Sequence, residues 1–451
     1  MQYGVCGRST LYLPAVVLLV ILSIGGACGN SGGASPDAGG SPPNSTCTGT
    51  PCALTSSRPR ETFAALLPEV SELVAGNTAF ATSLYGALRE MQPDENLFYS
   101  PHSISIALAM TYAGARAKTE SEMATALEFR LPQAQLHRAF NALDQELVRR
   151  GQIPADGTGG DPFQLSVANA LWGARGFMFS SDFLDLLAVN YGAGLQLLDF
   201  MNDAEASRVT INQWVESKTS GKIKDLLVMG ALKPETALVL TNAIYFKASW
   251  ADPFLATNTA DRSFHLRGGQ MTNVPTMEKD RPFPYVDTGT LQAVTVPFVG
   301  GKLEMLVVVP RDGALEAIEV GLTAATIQDI AAAQRTTAVL LRLPKFKFGS
   351  RFSLIPTLDR LGMREAFTSA ADFSGISGSS PLNISDVVHQ AFVGIDEKGA
   401  EAAAATAVVA LPPSVSAAMI ELNVDRPFLF FIRDQPTGAI LFAGRVLDPR
   451  Q

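Results

Sequence analysis

From Thr62 to the last residue the sequence contains no cysteine, because all four lie within the first 52 positions. A disulfide framework is thereby excluded for the body of the chain, and packing alone must hold it. Histidine is equally scarce: His102, His137, His265 and His389 are scattered, and no His or Cys cluster has ligand spacing, so neither a metal nor a cofactor is expected. Positive charge is short as well. The net charge is −8 and the lysines and arginines are dispersed, which argues against a nucleic-acid groove. A hydrolytic site is lacking too, because Gly29-Asn30-Ser31-Gly32-Gly33 fits the pattern G-x-S-x-G but has no strand before it and no helix after it.

What is present begins with an export signal. Leu13 to Ile24 is a largely apolar run, too short for the ~20 residues of a membrane span, with Arg8 before it and Gly25-Gly26-Ala27-Cys28 after it. Small residues ahead of a cysteine suggest a lipoprotein site with Cys28 acylated; ordinary cleavage after Ala27 is the competing reading. Residues 1–27 are thus read as signal peptide and 28–61, rich in Gly, Ser, Pro, Asn and Thr, as a flexible tether. Cys47 and Cys52 could close a short disulfide loop or remain free thiols. Either way an exported, secreted or cell-surface protein is expected, with a membrane reached only through a lipid anchor.

Residues 62–451 read as one α+β body. Val70 to Met91 has helical periodicity, with Phe80, Leu84, Tyr85 and Leu88 on one face. Ser100-Pro101 should cap and open a second helix, apolar enough from Ile104 to Tyr112 to be buried. Leu238–Phe246, Leu303–Val309, Thr337–Phe348, Phe428–Ile432 and Ala439–Val446 carry strand patterns. Helices gather early and strands late, which favours α+β over a βαβ repeat.

One stretch resists a single local structure. In Glu397-Lys398-Gly399-Ala400-Glu401 and Ala402 to Ala405, alanines that favour helix follow a glycine and precede β-branched Thr406, Val408 and Val409, then Pro412-Pro413. Placed in a sheet, alternate residues face opposite sides, so Ala400, Ala402, Ala404 and Thr406 would face the core while Glu401, Ala403 and Ala405 face solvent. Small inward residues let a strand slide between two others without clash.

The body resembles one family, the serpins, through motifs weak singly but specific in order. These are Asn96 to Pro101 with Ser103, Ile104 and Ser105; Asn169 to Trp172; Ile211-Asn212 through Trp214 to Ile223; and Thr241 to Lys247 with Trp250, Phe254 and Thr259. Leu343 to Phe346, Leu361-Gly362, Asp372 to Ser374, His389, and Asp425 to Phe428 with Gly444-Arg445 complete the series. Bottom-up, Asn169, Asn242 and Ser103 read as satisfied core polar groups and Trp172, Trp214 and Trp250 as packing anchors.

The resemblance implies the serpin fold: helices packed on a large central sheet that accepts an exposed reactive-centre loop as an added strand, with smaller sheets beside it. It implies a hinge at Glu397, Gly399, Ala400, Glu401, Ala402, Ala403, Ala404, Ala405 and Thr406, and a sheet-opening region at Ser103, Asn242 and His389. Family spacing puts the scissile bond at Pro413-Ser414, awkward for many serine proteases because proline lacks an N–H. Cleavage around Val415 and Ser416 is the alternative. A monomeric suicide inhibitor of a serine or cysteine protease is the implied function. With no Arg or Lys between Gly399 and Arg426, an elastase-like or subtilisin-like enzyme is the expected partner. A non-inhibitory carrier, chaperone or protease substrate is the rival reading.

Overall fold

The computed structural model describes residues 51–151, 163–378, 381–400 and 419–451. Their first half carries β1 (Cys52–Leu54), α1 (Val70–Met91), β2 (Leu97–Tyr99), α2 (Pro101–Tyr112), α3 (Ala117–Ala126), α4 (Gln133–Gly151), β3 (Gln164–Ala174), α5 (Ser181–Tyr191), β4 (Leu195–Leu198) and α6 (Phe200–Lys218). Then come β5 (Leu238–Ser249), β6 (Ala260–His265), β7 (Met271–Asp287), β8 (Leu291–Pro297), β9 (Leu303–Pro310), α7 (Leu315–Val320) and α8 (Ala324–Ala333). The chain closes with β10 (Arg335–Pro344), β11 (Phe346–Ser353), α9 (Ile355–Arg360), α10 (Ser374–Ser377), β12 (Ile384–Asp396), β13 (Gly399–Ala400), β14 (Ile420–Asn423), β15 (Phe428–Asp434) and β16 (Ile440–Val446). Among the described residues no helix is long and apolar enough to cross a membrane.

Two helices show how local sequence sets the frame. The span of α1 agrees with the periodicity, and Phe80, Leu84, Tyr85 and Leu88 are all buried. Ser100 caps α2 by accepting from the Ser103 N–H at 3.1 Å, with Pro101 at the first helical position. Every residue of α2 is buried, because the helix passes behind β3 and β5 and against β16.

The central sheet has seven strands in the order β1-β4-β3-β5-β13-β12-β11, and β5 also pairs directly with β12. Nearly all of β5 is buried, as a strand covered on both faces must be. The face near β5 and β12 is covered by α6: Ile211 and Val215 share an apolar cluster with Trp172, Val239 and Val388, and Trp214 meets Trp172 edge-on at 5.3 Å. A second, nine-stranded sheet runs β14-β10-β7-β8-β9-β15-β16-β2, with β6 paired to β7.

Aromatic rings join the two sheets. Phe98 on β2 stacks on Phe442 of β16 at 5.1 Å, lies 5.8 Å from Phe430 of β15 and meets Phe348 of β11 edge-on at 6.5 Å. Gly444 is needed beside them, since a Cβ there would sit 2.4 Å from the Phe430 ring.

Two expectations are corrected. The run Thr337–Phe348 is not one strand: the chain breaks at Lys345, so that β10 pairs with β7 in one sheet and β11 with β12 in the other. Residues 51–61 are not free tether. Cys52–Leu54 add an edge strand to β4, and the residues after them are hydrogen-bonded to α4 and α5. Polar composition misled there because the segment adheres chiefly through backbone and charged groups.

Candidate functional site

The hinge is held where β12 ends. After Asp396 the chain reverses, with the Lys398 N–H on Asp396 Oδ1 at 2.8 Å, and returns as β13. Gly399 pairs with Asp396 on one side and Ser249 on the other, and Ala400 with Ile395 and Ala248. Two residues of the hinge therefore already stand as a strand between β12 and β5. The position demands glycine at 399, where φ is +146° and a Cβ would lie 2.1 Å from the Ala248 carbonyl oxygen. Ala400 is 1% exposed and belongs to the core, the inward orientation that alternation predicts.

Side chains fasten this turn. Lys345, at the break between β10 and β11, pairs with Glu397 at 2.9 Å, and Thr259 donates to the same carboxylate at 2.8 Å. Burial would raise the Glu397 pKa, but these partners outweigh it and hold the carboxyl below its ordinary value. The Glu397 carbonyl accepts from the Phe254 N–H at 2.8 Å. Trp250 does more than pack. Its backbone N–H bonds the Lys398 carbonyl and its indole N–H bonds the Asp396 carbonyl, both at 2.9 Å, while the ring stacks on Phe298 at 4.6 Å. Lys345, Thr259 and Trp250 were legible as motif members, but nothing local disclosed that they meet at Glu397 and Asp396.

Beyond the hinge, β5 and β12 pair directly and in parallel, with Val387 opposite Leu240, His389 opposite Asn242 and Phe392 opposite Tyr245. The predicted sheet-opening residues converge on this seam. His389 is fully buried; its Nε2 accepts from the Ser100 N–H at 3.2 Å, which leaves the proton on Nδ1 to be donated to Asn242 Oδ1. The Asn242 amide then donates to Ser103 Oγ at 2.6 Å and to Asn169 Oδ1, while Ser103 Oγ donates to Asn169 Oδ1 at 3.0 Å. Asn169 is the fourth member, anchored by its own amide to the Ser103 carbonyl at 3.1 Å. The network ties β12 to β5, β3 and the start of α2. Burial pushes the His389 pKa down to about 3, so the imidazole is neutral.

This geometry contains no nucleophile with an adjacent base, and among the described residues no group of His, Cys, Asp and Glu could hold a metal. What it can do is mechanical. Gly399 and Ala400 part β5 from β12 at one end of the seam, and a side-chain network closes it below. Glu401, Ala402, Ala403, Ala404, Ala405, Thr406, Pro413, Ser414, Val415, Ser416 and Cys28 lie outside the described residues.

Comparison with known proteins places the whole arrangement. The family model described as Serpin (serine protease inhibitor) matches residues 75–449. An uncharacterised serpin-like protein of Thermococcus kodakarensis is 40% identical over 363 residues, covering 79% of this chain and 82% of that protein. The leukocyte elastase inhibitor A of Mus musculus is 37% identical over 395 residues, 84% of this chain and all of that protein. Among solved structures, human thyroxine-binding globulin complexed with thyroxine superposes with a TM-score of 0.74 at 30% identity, covering 85% of this chain and all of that one.

Proposed function

The chain belongs to the serpin family, and on that premise we propose that it inhibits a serine-type endopeptidase as a suicide substrate. The observation that carries this reading is β13: Gly399 and Ala400 occupy the seam between β5 and β12 in the register that a longer inserted strand would continue. Because β12 and β5 are parallel, a strand returning from β12 is antiparallel to both. Each further residue that enters exchanges one parallel ladder for two antiparallel ones, with net gains of ~0.5–1.5 kcal/mol per added hydrogen bond. In the uncut chain the loop is tethered at both ends, at β13 and at β14, and the gain is withheld kinetically.

Cleavage frees one end. The protease nucleophile attacks a loop carbonyl, at Pro413 or nearby around Val415 and Ser416, expels the amine of the following residue and remains esterified to the hinge side. Entry of roughly fifteen residues at ~3.3 Å each then carries the enzyme on the order of 50 Å. Displacement spoils its catalytic geometry before water completes hydrolysis. The small inward residues Ala400, Ala402, Ala404 and Thr406 suit this passage, and the absence of Arg and Lys between Gly399 and Arg426 favours an elastase-like or subtilisin-like partner. The elastase inhibitors among the relatives point the same way. An exported monomer, lipid-anchored if Cys28 is acylated, fits the signal-like start, and the disulfide-bonded Cys52 suits an oxidising compartment.

The test is direct. The purified chain mixed with elastase-like and subtilisin-like proteases should give a covalent complex that survives denaturant, and mass spectrometry of the released C-terminal fragment fixes the bond. Cleaved chain without complex would favour the carrier or substrate reading, which thyroxine-binding globulin exemplifies among the neighbours.

A further inference from the structure

The hinge occupies one end of the seam between β5 and β12. At the opposite end both strands begin, with Ile384 beside Leu238 and the Ala237 N–H on Ser385 Oγ at 3.2 Å. There β3 and β4 both finish: the Ala174 N–H bonds the Ala237 carbonyl at 2.9 Å, and the Arg175 N–H bonds the Leu198 carbonyl at 2.8 Å. Three segments therefore turn over this pole, one leaving β3, one leaving β4 and one entering β5.

Each turn carries large apolar side chains to the surface. Met178, after β3, is 58% exposed; Met201, on the first turn of α6, is 73% exposed; Val228 and Met229, on the approach to β5, are 50% and 82% exposed. Phe200 takes the buried place at the start of α6 and leaves Met201 outside, while Leu232 is buried with Phe200, Trp172 and Val239. Gly230, at φ +76°, turns the chain directly after Met229. None of the four exposed residues belongs to either apolar core.

Strand register brings a partner to this pole. In the pairing begun by Gly399 and Ala400, each step along the loop is one step back along β5, so an inserted strand would set Val409 opposite Val239 and Ala410 opposite Leu238. Pro412 and Pro413 have no N–H and end the ladder. Leu411, Pro412 and Pro413, about 10 Å of extended chain, then separate the paired strand from an ester at Pro413, and cleavage around Val415 and Ser416 lengthens the link to about 20 Å. Even a small domain is ~30 Å across. An enzyme held on so short a link is pressed against the pole.

We propose that Met178, Met201, Val228 and Met229 form an apolar landing surface that holds the acylated protease in its distorted state. This rests on the suicide-substrate reading given above and adds an attractive contact to the displacement invoked there. An enzyme whose active site is pulled apart exposes apolar groups. A surface that covers them binds the distorted enzyme better than the intact one, and so shifts it away from the geometry that hydrolyses the ester. Methionine suits the task, because its unbranched side chain and polarisable sulfur adapt to an irregular partner.

The experiment uses the full chain and the elastase-like or subtilisin-like protease that the wild type traps. A variant combining Met178→Gln, Met201→Gln, Val228→Thr and Met229→Gln should form covalent complex at the wild-type rate, because the hinge lies at the other end of the sheet. Its purified complex should release active protease about tenfold faster than the wild-type complex, the loss typical of truncating a central interface contact. Met271→Gln, at a 66% exposed position on β7 of the second sheet, should leave release at the wild-type rate. Equal release from variant and wild type overturns the proposal. Faster release overturns it too if the cut variant lacks the heat resistance of cut wild type, because the defect then lies in insertion and not in contact with the enzyme. If the wild type yields no covalent complex, the suicide-substrate reading itself fails and the surface with it. If it yields one whose lifetime the substitutions do not change, only the landing surface fails.

Discussion

Replacing Ala400 by glutamate should turn an inhibitor into a substrate. Ala400 is 1% exposed, lies between β5 and β12, and faces an apolar core. A carboxylate there has no partner, and burying an unpaired charge costs several kcal/mol. The uncut molecule can avoid most of that cost by expelling β13, forfeiting the pairing of two residues, about 1–3 kcal/mol. The cut molecule cannot avoid it, because insertion starts at the hinge and Ala400 must enter before Ala402 and Ala404. Adding ~4 kcal/mol to the insertion barrier slows it by about 10³, while deacylation of the trapped protease proceeds at its own rate. The assay is a titration of protease with the A400E variant, resolved under denaturing conditions. Covalent complex should fall below a few per cent of the wild-type yield, with cleaved chain in its place, and the cleaved variant should lack the gain in heat resistance; Ala400→Ser should behave as wild type. Wild-type complex yield from A400E would refute the claim that this side chain must pass into the core.

Acid should weaken the uncut fold. Burial pushes the pKa of His389 down to about 3 and those of His102 and His137 down to about 4, against an ordinary value of 6.5. The unfolded chain takes up protons below pH 6.5 that the folded chain refuses, so stability is full above 6.5 and declines as pH falls toward 3 to 4. At pH 5 each histidine accounts for ~2 kcal/mol; a urea midpoint measured at pH 7.5 and 5.0 should show the fall, and His389→Gln should lose about a third of it. An unchanged midpoint would contradict neutral burial. Gly399→Val should free the hinge from the sheet, because its Cβ would meet the Ala248 carbonyl. Limited proteolysis should then cut near residue 399 several-fold faster, and equal cutting rates would argue against the tight fit.

How far each part was legible depended on how local its cause is. The periodicity of α1 and the Ser100-Pro101 start of α2 are properties of consecutive residues, and both appear as the sequence implies. Alternation likewise assigned Ala400 to the inward side. The break at Lys345 was not legible, since strand propensity runs through it and only the choice of different neighbours for β10 and β11 divides it. Residues 51–61 were misread for a related reason: Ser56, Ser57, Pro59 and their neighbours have the composition of a linker, and only their contacts with β4, α4 and α5 place them.

By itself the sequence determined the helix starts, the family membership and the inward side of Ala400. The tertiary structure alone decided that His389, Asn242, Ser103 and Asn169 form one network, that Lys345 and Trp250 fasten the turn at Glu397, and that Cys52–Leu54 pair with β4. The physical reason is separation along the chain. Hydrogen bonds act over about 3 Å, and residues 52 to 147 positions apart, as Lys345–Glu397 and Asn242–His389 are, come within that reach only through tertiary packing.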